Sequence, residues 1–342
     1  LIRVLVAEDS AVTREYLAAA LAEDPEIRVV GTARDGVEAV EQAESLRPDV
    51  ILMDVHMPRM GGLEATRQIM SRAPAPIVLA TAGFSRDETA LGFEAIKAGA
   101  LTVLDKPQGP DNRAARDLTR TVKLMAEVKV VHRWPRRERA EIPSLAGRLS
   151  GRKIRAIGIG ASTGGPAALA EALGGLGDVL AVPVLVVQHI TPGFTAGLAE
   201  WLASQTRLPV KLAENGERAR EGIVYLAPDG IEMGMEMDGR IRLTAQNLGE
   251  GLHPSADHLF ASLARALGPS VLGILLTGMG RDGAEGLGQL RAAGAVTVAQ
   301  DEATSVVFGM PGEALRRGAA EHVLSPREIA GLIRSLTEQE RV

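Results

Sequence analysis

Gly158-Ile159-Gly160-Ala161-Ser162-Thr163-Gly164-Gly165 follows the run Ile154-Arg155-Ala156-Ile157 and precedes Pro166, Ala167, Ala168, Leu169, Ala170 and Leu173. The first run reads as a short buried strand, and the last reads as a helix with Pro in its first turn. A strand that turns sharply into a helix needs glycine where the backbone is crowded or φ is positive. Within that turn, Gly160-Ala161-Ser162-Thr163-Gly164 fits G-x-S-x-G, the elbow that exposes a serine hydroxyl beside the free N–H groups of a helix N-terminus. Such donors would hold the negative charge of a tetrahedral intermediate. The same letters allow two other readings. Glycines 158, 160, 164 and 165 suit the phosphate loop of a dinucleotide site, and the plainest alternative is a tight turn with an inert serine. A dinucleotide site wants an acidic residue at the end of the next strand, where this chain has Gln188-His189.

Outward from the elbow, strands are expected at 154–159, 182–188, 208–212, 222–226, 271–277 and 295–299. A hairpin-like stretch at 233–239 interrupts them, its methionines read as packing. Parallel strands alternating with helices form a doubly wound sheet whose functional residues gather beyond the strand C-termini. That rule brings Ser162, His189 and the loop Thr277-Gly278-Met279-Gly280-Arg281-Asp282-Gly283 to one edge. Ser, His and Asp at strand ends are the parts of an acyl-transfer site. Ser162 would attack, His189 would take and return its proton, and Asp282 would hold the imidazole tautomer and steady its charge. The glycines around Met279 turn backbone N–H groups inward, making Met279 N–H a candidate oxyanion donor. Each part has an ordinary alternative: a His after a strand is commonly structural, and Asp282 before Ala284-Glu285 suits a helix N-cap.

The first 125 residues carry a second α/β pattern, with strands at 2–7, 29–33, 50–53, 77–81 and 101–104. Helices are expected near 11–23, 36–46, 62–72, 87–98 and 112–127. Glu8 and Asp9, Asp54, Thr81 and Lys106-Pro107 stand at the strand ends. Three carboxylates converging there would repel one another without a hard cation, and Mg²⁺ is the natural candidate. Lys106 adds a fixed positive charge and Thr81 a hydroxyl, which suits a phosphoryl group. Between the two patterns, residues 126–153 are basic and broken by Pro135 and Pro143, and read as a solvated linker.

With 342 residues, the chain has room for two or three domains. There is no run of eighteen apolar residues and no signal-peptide pattern, so membrane insertion is not expected and a cytoplasmic location is. The absence of cysteine excludes a disulfide framework, a thiol nucleophile and a zinc-thiolate site. A net charge of −5 argues against bulk nucleic-acid binding.

Glu8-Asp9-Ser10, Asp54 within MDVHMP, Thr81-Ala82 and Asp105-Lys106-Pro107 resemble the two-component receiver domain across residues 1–125. The resemblance implies that Asp54 accepts phosphate from a sensor histidine kinase. It implies too that Glu8, Asp9 and Asp54 hold Mg²⁺, and that Thr81 and Lys106 contact the phosphoryl group. Two positions depart from the pattern: Val103 stands where an aromatic switch residue is usual, and Gly61-Gly62 where Asp often precedes Gly. GIGASTGG, VVQHI and LTGMGRDG together resemble the chemotaxis protein-glutamate methylesterase (CheB) family, in the order receiver 1–125, linker 126–153, catalytic domain 154–342. That resemblance implies two doubly wound parallel-sheet α/β domains, a flavodoxin-like receiver and a Rossmann-like serine esterase. It implies hydrolysis of γ-glutamyl methyl esters, and deamidation of certain glutamines, on the cytoplasmic helices of a chemoreceptor. Ser162, His189 and Asp282 become the triad, with Thr163 and Met279 around the oxyanion and no cofactor at the esterase site. The unphosphorylated receiver is expected to restrain the hydrolase. His253-Pro254-Ser255-Ala256-Asp257 matches a further family element loosely, and His253 and Asp257 receive no assigned role; His258 and His322 are read as structural.

Overall fold

Strands of a parallel sheet covered on both faces are apolar along their whole length, and the central strands of this chain follow that rule. In the computed structural model, residues 1–81, 86–107, 112–128, 152–176, 180–245 and 254–338 are described. The expected linker lies mostly outside them, as does His253. The chain divides into two units, Leu1–Arg137 and Glu138–Val342.

In the first unit the elements are β1 (Ile2–Ala7), α1 (Ala11–Ala22), β2 (Ile27–Ala33), α2 (Gly36–Leu46), β3 (Val50–Asp54), α3 (Gly62–Arg72), β4 (Ile77–Thr81), α4 (Arg86–Ala98), β5 (Thr102–Asp105) and α5 (Asn112–Ala126). The sheet order is β2-β1-β3-β4-β5, all parallel. The strand order reverses between β1 and β3, which opens a crevice beyond their C-terminal ends. Glu8 follows β1 and Asp54 closes β3, so the topology itself puts these carboxylates together.

The second unit runs β6 (Ala156–Ala161), α6 (Gly165–Leu173), β7 (Val184–Gln188), α7 (Thr195–Thr206), β8 (Val210–Leu212), β9 (Val224–Leu226), β10 (Ile231–Met235), β11 (Ile241–Ala245), α8 (Ala256–Leu267), β12 (Val271–Leu275), α9 (Ala284–Ala292), β13 (Val296–Gln300), α10 (Met310–Arg316), β14 (His322–Leu324) and α11 (Pro326–Glu338). Seven strands form one parallel sheet in the order β14-β13-β12-β6-β7-β9-β8. β10 and β11 pair separately as an antiparallel hairpin. Met233 and Met235 are buried in the core and Met237 is exposed at the hairpin tip. Several boundaries differ from expectation, and two of these bear on the site: β6 ends at Ala161 rather than 159, and β12 ends at Leu275, leaving Thr277 in the loop. β14 was not expected; three residues are too short to show a period of two.

The glycines of β6 have a packing cause. A Cβ on Gly158 would lie 2.5 Å from Leu263 Cδ1 and 3.3 Å from the Phe260 ring, and one on Gly160 would lie 2.7 Å from Ala256 Cβ. Helix α8 therefore rests directly on the strand, its Phe260 ring filling the space that side chains would otherwise take. Gly283, beyond β12, and Gly286, on α9, also abut Phe260. Gly-x-Gly here admits a helix; it does not cradle a dinucleotide. Truncating the fully buried Phe260 in Phe260→Ala should cost about 3–5 kcal/mol. Urea unfolding followed by the buried Trp201, in a Trp134→Phe background, measures it; an unchanged midpoint would show that the ring does not support β6.

Candidate active site

Ser162 is the first residue after β6, and hydrogen bonds on both sides fix its backbone. Its N–H donates to Thr277 O at 3.0 Å, and its carbonyl accepts from Gly165 N at 2.7 Å and from Gln188 Nε2 at 2.8 Å. Gly164 adopts φ +78°, where a side chain is strained, and a Cβ on it would come within 2.6 Å of Val306. A Cβ on Gly165 would lie 2.0 Å from Gln188 Oε1, and one on Gly278 would lie 2.7 Å from Ser162 Cβ. The elbow is thus held so tightly that only glycine fits around it.

His189 follows β7, and its N–H donates to Ala161 O at 2.9 Å, tying it to the strand that carries Ser162. Its ring is almost wholly buried. Nε2 lies 2.9 Å from Asp282 Oδ2, an ion-pair distance though off the direction of a good hydrogen bond. Among the described residues Nδ1, which is buried, has no hydrogen-bond partner and remains available to a proton donor. Among the described residues no hydrogen bond joins Ser162 Oγ to the ring; catalytic bonds of this kind often tighten only when substrate is bound.

Asp282 does not cap the helix it precedes. The N-cap of α9 is Gly283, in the left-handed region and without a side-chain bond. The Asp282 carboxylate instead sits on the N-terminus of α8. Oδ2 accepts from Ala256 N at 2.7 Å, and Oδ1 accepts from Asp257 N at 3.1 Å and Ser255 Oγ at 2.8 Å. Burial alone would raise its pKa. The neighbouring His189 and the α8 N–H donors outweigh burial and hold it at about 2, so the group is ionised where it faces the imidazole. Met279 and Thr163 lie at the same edge, Thr277 Oγ1 donating to Thr163 O at 2.9 Å. Among the described residues, neither the Thr163 N–H nor the Met279 N–H has an acceptor, as an oxyanion site requires.

Gln300 was missed in the sequence, where the strand was expected to stop at 299. It is fully buried at the end of β13, and its Oε1 accepts from Thr277 N at 2.8 Å while Nε2 donates to Thr304 O at 2.9 Å. A glutamine closing an apolar run was the available signal. Ser255 was noted only within a loose motif; its N–H donates to the buried Glu232 of β10 at 2.9 Å.

In the first unit, Lys106 Nζ lies 2.8 Å from Glu8 Oε2 and 2.8 Å from Asp54 Oδ1. The Glu8 contact is off hydrogen-bond direction, leaving that buried oxygen without a bonded partner. Glu8, Asp9 and Asp54 each offer a carboxylate oxygen, all within 4.8 Å of one another. An all-oxygen set with an unsatisfied buried oxygen fits Mg²⁺. Burial raises the pKa of Glu8, which Lys106 only partly offsets; a cation there would favour the ionised form. Thr81 is buried at the end of β4, and its carbonyl accepts from Lys106 N at 2.8 Å. Val103 is buried, and a Cβ on Gly92 would lie 3.1 Å from it. Gly62 is the required glycine of the Gly61-Gly62 pair, since a Cβ there would lie 2.1 Å from Asp54 O.

Residues 157–333 match the family model described as CheB methylesterase, and residues 4–116 match that of the response regulator receiver domain. A protein-glutamate methylesterase/protein-glutamine glutaminase of Geobacter metallireducens is 48% identical, with 99% of this chain and 100% of the relative covered. One of Syntrophus aciditrophicus is 46% identical, with 97% of each covered. This chain belongs to the CheB methylesterase family. The crystal structure of the Thermotoga maritima CheB methylesterase catalytic domain is 34% identical and superposes with a TM-score of 0.51, over 54% of this chain and 99% of that domain.

Family membership disfavours the dinucleotide reading, and Gln188 supplies a local reason. Its Nε2 bonds the carbonyls of Ser162 and His189, both at 2.8 Å, where a ribose-binding carboxylate would repel them. Gln188→Ala should leave both carbonyls short of a donor, at a cost of roughly 1–3 kcal/mol. Loosening the elbow should lower hydrolytic kcat by roughly 10- to 100-fold. Thermal melts and steady-state kinetics check this; wild-type kcat with wild-type stability would remove Gln188 from the support of the site.

Proposed function

We propose that this protein hydrolyses γ-glutamyl methyl esters, and deamidates certain glutamines, on the cytoplasmic helices of a chemoreceptor, with Ser162, His189 and Asp282 as its triad. The observation that carries the reading is the placement of His189. Its ring lies beside an ionised Asp282, and its backbone is bonded to the strand that delivers Ser162. In this scheme Ser162 Oγ bonds to the ester carbonyl carbon while His189 Nδ1 takes the hydroxyl proton. Asp282 stabilises the imidazolium, and the N–H groups of Thr163 and Met279 receive the oxyanion. Collapse breaks the bond to the methoxy group, which leaves as methanol with the proton from His189. Water then attacks the glutamyl–serine ester with His189 as base, releasing the glutamate carboxylate and restoring Ser162. With a glutamine amide, ammonia leaves in place of methanol.

The proposed organisation is a receiver at 1–125, a linker at 126–153 and a catalytic domain at 154–342, acting in the cytoplasm. Among the described residues no helix is long and apolar enough to cross a membrane. In the receiver Asp54 would be the phosphoacceptor, with Thr81 and Lys106 placed to meet the phosphoryl oxygens. Glu8, Asp9 and Asp54 would hold Mg²⁺, whose charge lets an anionic donor approach three carboxylates. A sensor histidine kinase would be the physiological donor.

Ser162→Ala should abolish methanol release from methylated receptor membranes, a fall of at least about 10³-fold, with an unchanged melting profile. A fluorophosphonate probe should label Ser162 in the parent chain. Near-normal turnover by the variant would sink the assignment. Acetyl phosphate with Mg²⁺ should phosphorylate Asp54 and raise methanol release, and EDTA should prevent both. Label persisting in Asp54→Asn would show that another residue accepts the phosphate.

A further inference from the structure

Two helices of the second unit exchange their caps. Asp282 precedes α9 but receives the N–H groups of Ala256 and Asp257 at the start of α8. Asp257, in the first turn of α8, in turn sends its Oδ1 to the N–H of Gly286, on α9, at 2.6 Å. The helices touch backbone to backbone here: a Cβ on Gly286 would lie 2.5 Å from Asp257 O and 2.8 Å from Asp257 Cα. The exchange brings the two residues together, Asp257 N–H donating to Asp282 Oδ1 at 3.1 Å, with Asp282 largely buried and Asp257 half-buried. Two such groups do not ionise independently.

We infer that Asp257 is a positioning residue of the esterase: its carboxyl group, shared between the start of α9 and Asp282, sets the charge that steadies the His189 imidazolium. The inference rests on the assignment of Ser162, His189 and Asp282. Burial, with Asp282 beside it, pushes Asp257 up to about 6, the Gly286 N–H opposing this only in part. The pair therefore takes up a proton on the acid side and carries two negative charges once both groups are ionised. The other charged groups facing Asp257 are Glu285 on α9, which adds to the upward push, and Arg317 beyond α10. Arg317 is paired with Glu313 at 2.6 Å and does not neutralise the carboxyl pair. His189 faces the pair through Asp282.

The second negative charge lies behind Asp282 and favours the protonated imidazole. Losing it should therefore ease deprotonation of His189. Asp257→Asn removes the charge but keeps an oxygen for Gly286 N–H. In the full chain carrying Ser162→Ala, the NMR titration midpoint of the His189 ring, assigned with His189→Gln, should fall by about 0.5–1 pH unit on adding Asp257→Asn. In the active full chain, the ratio of variant to parent kcat/KM for methanol release from methylated receptor membranes should rise about 3- to 10-fold from pH 8 to pH 6. That ratio cancels any titration of the receiver. Asp257→Ala, which removes cap and charge together, should lower the melting temperature, and Asp257→Asn should restore it while keeping the shifted midpoint. An unmoved His189 midpoint would overturn the inference and leave Asp257 as a helix cap alone. Turnover by Ser162→Ala would instead reject the triad beneath it, so the two failures are distinct.

Discussion

The catalytic unit depends on one buried carboxylate being held ionised at a helix N-terminus. Asp282 is largely removed from water, a position that by itself favours the neutral acid. The first N–H groups of α8 have no partners within their own helix, and they point at this carboxylate. Helix and carboxylate each satisfy a need of the other: the positive end of α8 gains an anion, and the anion gains donors that replace water. Ser255 strengthens the arrangement by donating its hydroxyl to Asp282 while its own N–H goes to Glu232 on the β10–β11 hairpin. The hairpin stands apart from the seven-stranded sheet, yet through Glu232 it braces the residue that orients the acid.

Close approach of backbone to backbone supplies the rest of the precision. β6 lies between β12 and β7, at the point where the chain crosses from one half of the sheet to the other. The loops after β6 and β12 therefore meet directly, Ser162 N–H donating to Thr277 O at 3.0 Å. Two buried glutamines complete the frame, one at the end of each outer neighbour. Gln188 holds the Ser162 loop by its carbonyl, and Gln300 holds the Thr277 loop by its N–H. Neutral amides do this without placing another charge near Asp282 or the developing oxyanion, which a carboxylate or ammonium would do.

The legible parts of this architecture were local or followed from one topological rule. Apolar runs closed by polar residues marked most strands, and convergence of parallel strands at their C-terminal edge was enough to bring Ser162, His189 and Asp282 together on paper. Gly158 and Gly160 were legible as glycines but not in purpose, because the helix that needs their missing side chains lies about a hundred residues on. The cap exchange between Asp257 and Asp282 was hidden for the same reason. Asp282 sits where an N-cap of the following helix belongs, and nothing within ten residues says that it serves another helix. β14 and Gln300 were lost at boundaries, one by shortness and the other because the expected strand stopped one residue early.

The two units meet the same electrostatic difficulty in different ways. Both collect carboxylates where the order of a parallel sheet reverses, and neither can leave them as unpaired neighbours. The receiver places Lys106 between Glu8 and Asp54, at 2.8 Å from each, and its three oxygens leave a set that suits a divalent ion. That solution sets a fixed positive charge against the carboxylates, and the proposed phosphoryl group arrives with negative charge of its own. Among the described residues, the esterase unit has no lysine in the corresponding place. It divides the burden between two helix N-termini, the start of α8 donating to Asp282 and the start of α9 donating to Asp257. A fixed cation beside His189 would oppose formation of the imidazolium, the step proposed for that histidine. The choice of helix ends over a lysine thus matches the chemistry proposed for each sheet edge: a transient cation to stabilise at the second, an anion to bind at the first.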